Sequence, residues 1–266
     1  MRVGFYQFRP VFGKVAHNRR KVLEKLSQIE ADLIVLPELP FTGYSFTNRE
    51  EAWHLAEPLD NSPTLWELAE LCARKKMHLV TGFAERAGQQ VYNSALLIGP
   101  QGLIHTYRKI HLFDREKLIF APGNTPLSVQ EIHGVRVGMM ICFDWSFPEV
   151  ARVLALQGAQ ILCHPSNLVL SYCQQAMLTR CLENHVFAIT ANRYGQERRP
   201  HGTIRFTGKS QIVAPRGQLI YRAPSRKEMV YLTEIDPEEA RNKQLTRRNH
   251  SFSDRRPEFY RTICQV

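Results

Sequence analysis

A cysteine, a glutamate and a lysine, each just past the end of a strand-like apolar segment, are the side chains of this sequence best placed to do chemistry together. Cys142 stands in Gly138-Met139-Met140-Ile141-Cys142-Phe143-Asp144-Trp145-Ser146-Phe147-Pro148-Glu149, where a strand pattern changes abruptly to a helical one. A thiol at such a corner is held out of the core. It lies near the N-terminus of the following helix, whose dipole and free N–H groups favour a thiolate and a nearby oxyanion. Other α/β enzymes place a nucleophile on an elbow for the same reason. The plainer alternative is a buried core cysteine, the usual fate of an unpaired thiol. Glu38 follows the apolar run Leu33–Leu36 in Leu36-Pro37-Glu38-Leu39, and Lys109 follows Leu103–Arg108 in Tyr107-Arg108-Lys109-Ile110-His111. Ligands of α/β sheets bind beyond the carboxyl ends of strands, so three such ends can converge on one site. The three chemistries complement one another. A thiolate attacks an electrophilic carbon, a carboxylate takes the thiol proton and later activates water, and an ammonium stabilises the developing oxyanion. Taken singly, Glu38 also reads as a loop carboxylate and Lys109 as a surface charge.

The elements that must position these groups alternate from the start. Strands are predicted at Arg2–Gln7 and Leu33–Leu36, the latter without alternation and so buried on both faces, with an amphipathic helix over Asn18–Ile29. Ser62-Pro63 starts a helix that runs to about Lys76, with Ser as N-cap and Pro at the first helical position. Strands His78–Glu85, Tyr92–Ile98 and Leu103–Arg108 follow, the last two joined at Gly99-Pro100-Gln101-Gly102. A polar-aromatic loop covers Lys109–Asn124. Strands Leu127–Ile132 and Val135–Ile141 lead to Cys142. Helix Pro148–Gln157, strand Gln160–Cys163, helix Tyr172–Glu183 and strand Val186–Ala191 come next. Lys209–Val213, Leu219–Tyr221 and Met229–Ile235 complete the strands, and Asp236-Pro237 starts a short helix. One α/β domain over residues 1–241 is the economical reading. The remainder, 242–266, mixes Phe252, Phe259 and Tyr260 with many arginines and is expected to pack on a partner subunit.

Composition narrows the class. A chain of 266 residues with 44% hydrophobic residues can bury a sizeable core, and no stretch is apolar for long enough to span a membrane. The N-terminus begins at once as a strand, without the pattern of a signal peptide, so a cytoplasmic protein without membrane association is expected. The six cysteines form no C-x-x-C pair and no zinc-like spacing, which points to reduced thiols and no structural metal. The net charge of +10 is concentrated late: residues 193–266 hold 16 Lys/Arg against 8 Asp/Glu. No nucleic-acid-binding motif accompanies it, so the basic face reads as solvated or as part of a subunit contact.

As a set, the motifs resemble the nitrilase superfamily of carbon–nitrogen hydrolases. Leu36-Pro37-Glu38-Leu39 with Gly43-Tyr44, Tyr107-Arg108-Lys109-Ile110-His111-Leu112 and the Cys142–Glu149 segment match in order and in flanking residues. Glu116-Lys117 with Phe120-Ala121-Pro122-Gly123 resembles the segment carrying the family's second, lysine-orienting glutamate. Arg180-Cys181-Leu182-Glu183-Asn184 and Phe206-Thr207-Gly208-Lys209-Ser210 resemble two later family segments. The resemblance implies a four-layer α-β-β-α sandwich that forms homodimers or higher homo-oligomers. It implies Cys142 as nucleophile, Glu38 as general base, Lys109 as oxyanion partner, Glu116 as holder of Lys109, and the Phe143 N–H as second oxyanion donor. No metal or organic cofactor enters this scheme. Asp144 reads as a helix cap, Arg180 and Glu183 as an i,i+3 ion pair, Cys163 and Cys181 as core, and His111 and His164 as structural. Phe41, Tyr44, Trp145, Asn167 and Tyr172 are candidates for the pocket wall. Trp145-Ser146-Phe147 stands where carbamoylase-like members tend to carry arginines, and this apolar wall suits a small neutral substrate. Phe143-Asp144 is the amidase-like form. The expected activity is hydrolysis of small aliphatic or aromatic amides to acid and ammonia through a thioester. The alternatives are a nitrilase of small aliphatic nitriles or dinitriles and a catalytically silent binding module with a basic surface.

Overall fold

Alternation within single strands divides the apolar residues between two cores. In the first strand Val3 and Phe5 face one side, while Tyr6, and Phe8 just beyond it, join the cluster on the other. Leu33 and Val35 likewise separate from Ile34 and Leu36. A sheet apolar on both faces needs a layer on each, and that requirement sets the architecture.

The structure, a computed structural model, describes residues 1–265. Strand β1 (Arg2–Gln7) leads through α1 (Val15–Ser27) to β2 (Leu33–Val35). Helices α2 (Arg49–Leu55) and α3 (Pro63–Lys75) precede β3 (His78–Ala87), β4 (Gln90–Gly99) and β5 (Gly102–Arg108). The single turn α4 (Glu116–Ile119) lies before β6 (Val129–Ile132) and β7 (Val135–Met139). Then come α5 (Pro148–Leu156), β8 (Ile161–Ser166), α6 (Cys173–Asn184) and β9 (Phe187–Asn192). A hairpin of β10 (Tyr194–Arg199) and β11 (Gly202–Thr207) precedes β12 (Gln211–Val213), β13 (Leu219–Arg222) and β14 (Met229–Glu234). Near the end, β15 (Gln244–Thr246) pairs with β16 (Asn249–His250).

Two six-stranded sheets form, in the orders β14-β1-β2-β3-β4-β5 and β13-β12-β9-β8-β7-β6. Each is built around a parallel triple, β1-β2-β3 and β7-β8-β9. The facing sides of the sheets share one core, in which Val3, Phe5, Val80 and Leu97 are continuous with Val137, Met139, Ile161 and Ile189. Helices α1 and α3 cover the outer face of the first sheet through Val22, Leu26, Leu68 and Leu71. Helices α5 and α6 cover the second through Ala151, Leu154, Met177 and Cys181. The result is the expected four-layer α-β-β-α sandwich. Because β4 is antiparallel to both β3 and β5, the carboxyl end of β5 lies at the same edge as that of β2. That brings Lys109 and Glu38 to one place.

Several local expectations are corrected. Helix α1 begins at Val15, ahead of Asn18, because Asn18 lies inside the helix and not at its cap. Its side chain leaves the helix surface to bond Val11 N, Val11 O and Phe41 O. The polar loop after Lys109 contains α4, and α2, capped by the Asn48 side chain on Glu51 N at 2.8 Å, was not foreseen. The β10–β11 hairpin was also missed, since in its Arg- and Gly-rich sequence only Ile204 and Phe206 alternate as apolar residues. Ser62 does cap α3, its hydroxyl accepting from Leu65 N at 2.9 Å. The C-terminal segment is not wholly left for a partner. Lys243 Nζ donates to Asn184 O and His185 O at the end of α6, and Phe252 packs against the shared core. Leu245, Phe259 and Ile263 stay exposed.

Candidate active site

Glu38 is carried on the turn that leaves β2, where Leu39 has a left-handed φ of 47°. The turn presses on β3 at Gly82: a Cβ there would lie 2.4 Å from Leu39 N and 2.5 Å from Glu38 Cα. Only glycine lets the two backbones approach this closely. Gly123 does the same for Lys109. Its N–H donates to Lys109 O at 2.8 Å, and a Cβ would meet Arg108 O at 2.1 Å.

The side chains these backbones present form one buried cluster. Lys109 Nζ donates to Glu38 Oε1 at 2.7 Å and to Glu116 Oε1 at 2.8 Å. Asn93 Nδ2, from the middle of β4, donates to the same Glu38 Oε1 at 2.7 Å, leaving Oε2 without a partner in the protein. Glu116 Oε2 accepts from Phe113 N at 3.1 Å, and the Tyr44 phenol lies against the same carboxylate. Burial by itself would strip Lys109 of its proton, but Glu116 and Glu38 outweigh it and hold the ammonium firmly charged. Burial raises Glu116 to about 7, with Lys109 opposing and Glu38 adding to the rise. Burial and then the neighbouring carboxylates keep the Tyr44 phenol protonated.

Cys142 sits at the corner expected for it, and its φ of 41° is the strained value of an elbow residue. The corner is braced from several sides. Asp144, fully buried, reaches back to Ile141 N at 2.8 Å, accepts from the Tyr107 hydroxyl at 2.8 Å, and meets His111 Nδ1 at 2.8 Å. It is a cap, as expected, and also the centre of this network. His111 stacks on Phe147 with ring centroids 3.6 Å apart. His164 Nε2 donates to Cys142 O at 2.9 Å, and burial lowers its pKa to about 4, so the ring is neutral at neutral pH and acts as a brace. One expectation fails here. A five-residue 3-10 turn, Cys142–Ser146, intervenes before α5, so no long helix dipole lies directly behind the sulfur. Burial, followed by the Glu38 charge, pushes the thiol well above its ordinary pKa despite Lys109 and the Asn167 N–H. The resting group is a thiol, and it needs a base.

A family model described as carbon-nitrogen hydrolase matches residues 2–244. The chain belongs to the carbon-nitrogen hydrolase family. It is 44% identical over 240 residues to a nitrilase of Pyrococcus abyssi, with 90% of each chain covered. It is 32% identical over 262 residues to an (R)-stereoselective amidase of a Pseudomonas species, covering 96% of this chain and 92% of that one. Among solved structures, the carbon-nitrogen hydrolase of Helicobacter pylori G27 superposes with a TM-score of 0.88 at 24% identity, covering 100% of this chain and 98% of the other.

In this hydrolase a narrow pocket of about 10 Å³ at the sulfur is lined by Cys142, Phe143, Trp145, Asn167, Phe113 and Val169. Asn167 is buried, and neither of its side-chain polar atoms has a partner. Phe113 and Val169 are shared with an adjoining cavity of about 430 Å³ that also takes in Tyr44, Glu116, Arg115, His201 and Arg205. Of the wall candidates, Tyr44, Trp145 and Asn167 reach these two spaces, as does the Phe143 expected to supply an oxyanion N–H. Phe41 instead joins the outer core under α1 and α3, and Tyr172 is exposed. Arg180 and Glu183 form their ion pair at 3.2 Å, and Cys163 and Cys181 are core. Sequence reasoning missed Asn93, whose signal was the polar pair Asn93-Ser94 amid the apolar run of β4. It also missed Arg115 and the hairpin residues, which carried no such signal. Among the described residues, no helix is long and apolar enough to cross a membrane.

Proposed function

We propose that this hydrolase is a cysteine-dependent amidase that converts amides to acid and ammonia through a thioester on Cys142. The observation that carries the reading is the burial of Cys142 and Glu38 in one charged cluster, with the second carboxylate oxygen of Glu38 left without a partner in the protein. Glu38 Oε2 takes the thiol proton as Sγ attacks the amide carbon. Lys109 Nζ and the Phe143 N–H receive the oxyanion; Phe143 lies at the start of the 3-10 turn, where an N–H has no intrahelical acceptor. Glu38 then returns its proton to the departing nitrogen, ammonia leaves, and the acyl group remains on sulfur. Deprotonation of water by Glu38 and attack on the thioester release the acid and restore the thiol. Glu116 holds Lys109 against the pull of Glu38, and Tyr44, Trp145 and Asn167 line the acyl group. The likeness to the Pyrococcus abyssi nitrilase favours a second reading, in which the same groups add sulfur to a nitrile carbon.

The test is ammonia release from paired amides and nitriles by the wild type and Cys142→Ala. Release from amides that disappears in the variant is the expected result. Release from nitriles alone would install the second reading. No release from either, with Cys142 also inert to iodoacetamide, would overturn both.

A further inference from the structure

The segment Phe206-Thr207-Gly208-Lys209-Ser210 takes no part in the reacting cluster, yet it walls a cavity of its own. This cavity, of about 350 Å³, lies between the start of α6 and the ends of β11 and β13. Lys209, Arg222 and Arg226, the hydroxyls of Ser171 and Ser225, and the Phe206 ring line it, and no aspartate or glutamate does.

The central cation is fixed. Arg222 faces Gln211 across the β12–β13 pair, and its Nε donates to Gln211 Oε1 at 2.9 Å. Its Nη2 donates to Gln174 O at 3.4 Å. Gln211 is fully buried, and its own Nε2 donates to the same Gln174 O at 2.9 Å. The guanidinium is thus half-buried and set in one orientation by neutral oxygens, which orient its charge without cancelling it. Lys209 stands beside it on a left-handed backbone, φ 57°, a conformation that residues with a Cβ rarely adopt. Ala223 N donates to Ser210 O at 2.8 Å and ties the two walls together. Lys209 and Arg226 are exposed, and among the described residues none of the three cations pairs with a carboxylate. Glu228, the nearest acid along the chain from Arg226, is taken by Lys21 Nζ at 2.6 Å and by the Tyr6 hydroxyl at 2.7 Å. Cations that converge without an acid repel one another, and a bound dianion relieves that repulsion. The hydroxyls add neutral donors, and the volume leaves room beside Phe206 for an organic body.

We propose that this cavity binds a phosphate group carried on a small organic molecule, with the phosphoryl oxygens on Arg222 and Lys209 and the organic body against Phe206. The site does not depend on the amidase reading, since it shares no lining residue with the Cys142 pocket. It stands one hydrogen bond from that pocket's wall, through Thr207 N to Leu168 O at 2.9 Å.

The experiment is isothermal titration calorimetry of the full chain at fixed ionic strength with phenyl phosphate, inorganic phosphate and benzoate. The wild type should bind one phenyl phosphate with a dissociation constant of about 1 mM or tighter, and each of the other two at least about tenfold more weakly. Arg222→Gln should weaken phenyl phosphate at least about tenfold, the scale of one charge-assisted contact. Lys209→Glu, made at an exposed side chain and checked by an unchanged melting temperature, should weaken it as well. Arg205→Glu, in the cavity beside Glu116, should leave it unaltered. Inorganic phosphate binding as tightly as the ester would overturn the organic body, and benzoate binding as tightly would overturn the phosphate. No saturable binding of any of the three, or an affinity for phenyl phosphate untouched by both Arg222→Gln and Lys209→Glu, would overturn the site itself.

Discussion

Replacing Glu38 by Gln should move two observables in opposite directions. The glutamine keeps an oxygen for Lys109 and Asn93, so the cluster can persist, but it removes one negative charge and the base. The Glu38 charge is, after burial, the main influence raising the Cys142 pKa. Without it, Lys109 faces Glu116 alone and favours the thiolate. Alkylation of Cys142 by iodoacetamide should therefore reach its half-maximal rate at lower pH in the variant. Turnover should fall nonetheless, because the base acts in both acylation and deacylation. General-base assistance is worth about 10²–10⁴-fold. Glu38 is fully buried and its Oε2 has no other partner, so a loss of at least about 10³ in kcat/KM is expected, equivalent to about 4 kcal/mol. The assay pairs ammonia release with the pH dependence of alkylation. Turnover within tenfold of wild type, or an alkylation midpoint that stays put or rises, would refute the assignment of Glu38 as the base opposing the thiolate.

Three further outcomes are expected. Gly82→Ala sets a Cβ against the backbone of Glu38 and Leu39, so it should cost about 1–3 kcal/mol of stability and about 10²-fold in kcat; a wild-type melting temperature and rate would contradict the close approach. Turnover should fall as pH drops through about 7, because protonating Glu116 loosens its hold on Lys109, and Glu116→Gln should flatten that limb. An unaltered limb in that variant would assign the titration elsewhere. Removing residues 253–266, which spares the packed Phe252 but deletes exposed Phe259 and Ile263, should shift a homodimer toward monomer by light scattering. An oligomer of unchanged mass and stability would exclude this tail from the subunit contact.

Periodicity and punctuation in the sequence determined the layers and the positions of the reacting groups. The strand at Arg2–Gln7, the strand within the apolar run Leu33–Leu36 and the Ser62-Pro63 helix start depend on near neighbours in the chain and appear as expected. Glu38, Lys109 and Cys142 were legible because a strand end is a local feature and the parallel triples carry such ends to one edge. What charge each group carries was not local. The helix-dipole argument anticipated a thiolate, whereas the folded surroundings bury the sulfur beside Glu38 and keep its proton. Asn93 acquires its role only when Glu38, 55 positions away, folds onto β4. The hairpin, whose apolar pattern is confined to Ile204 and Phe206, is held by Glu197 against backbone amides about 150 positions earlier. Hydrophobic pattern is a property of a segment. The protonation of a buried group and the partner of a buried charge are set by whatever the whole chain brings within a few ångströms, and only tertiary structure decides that.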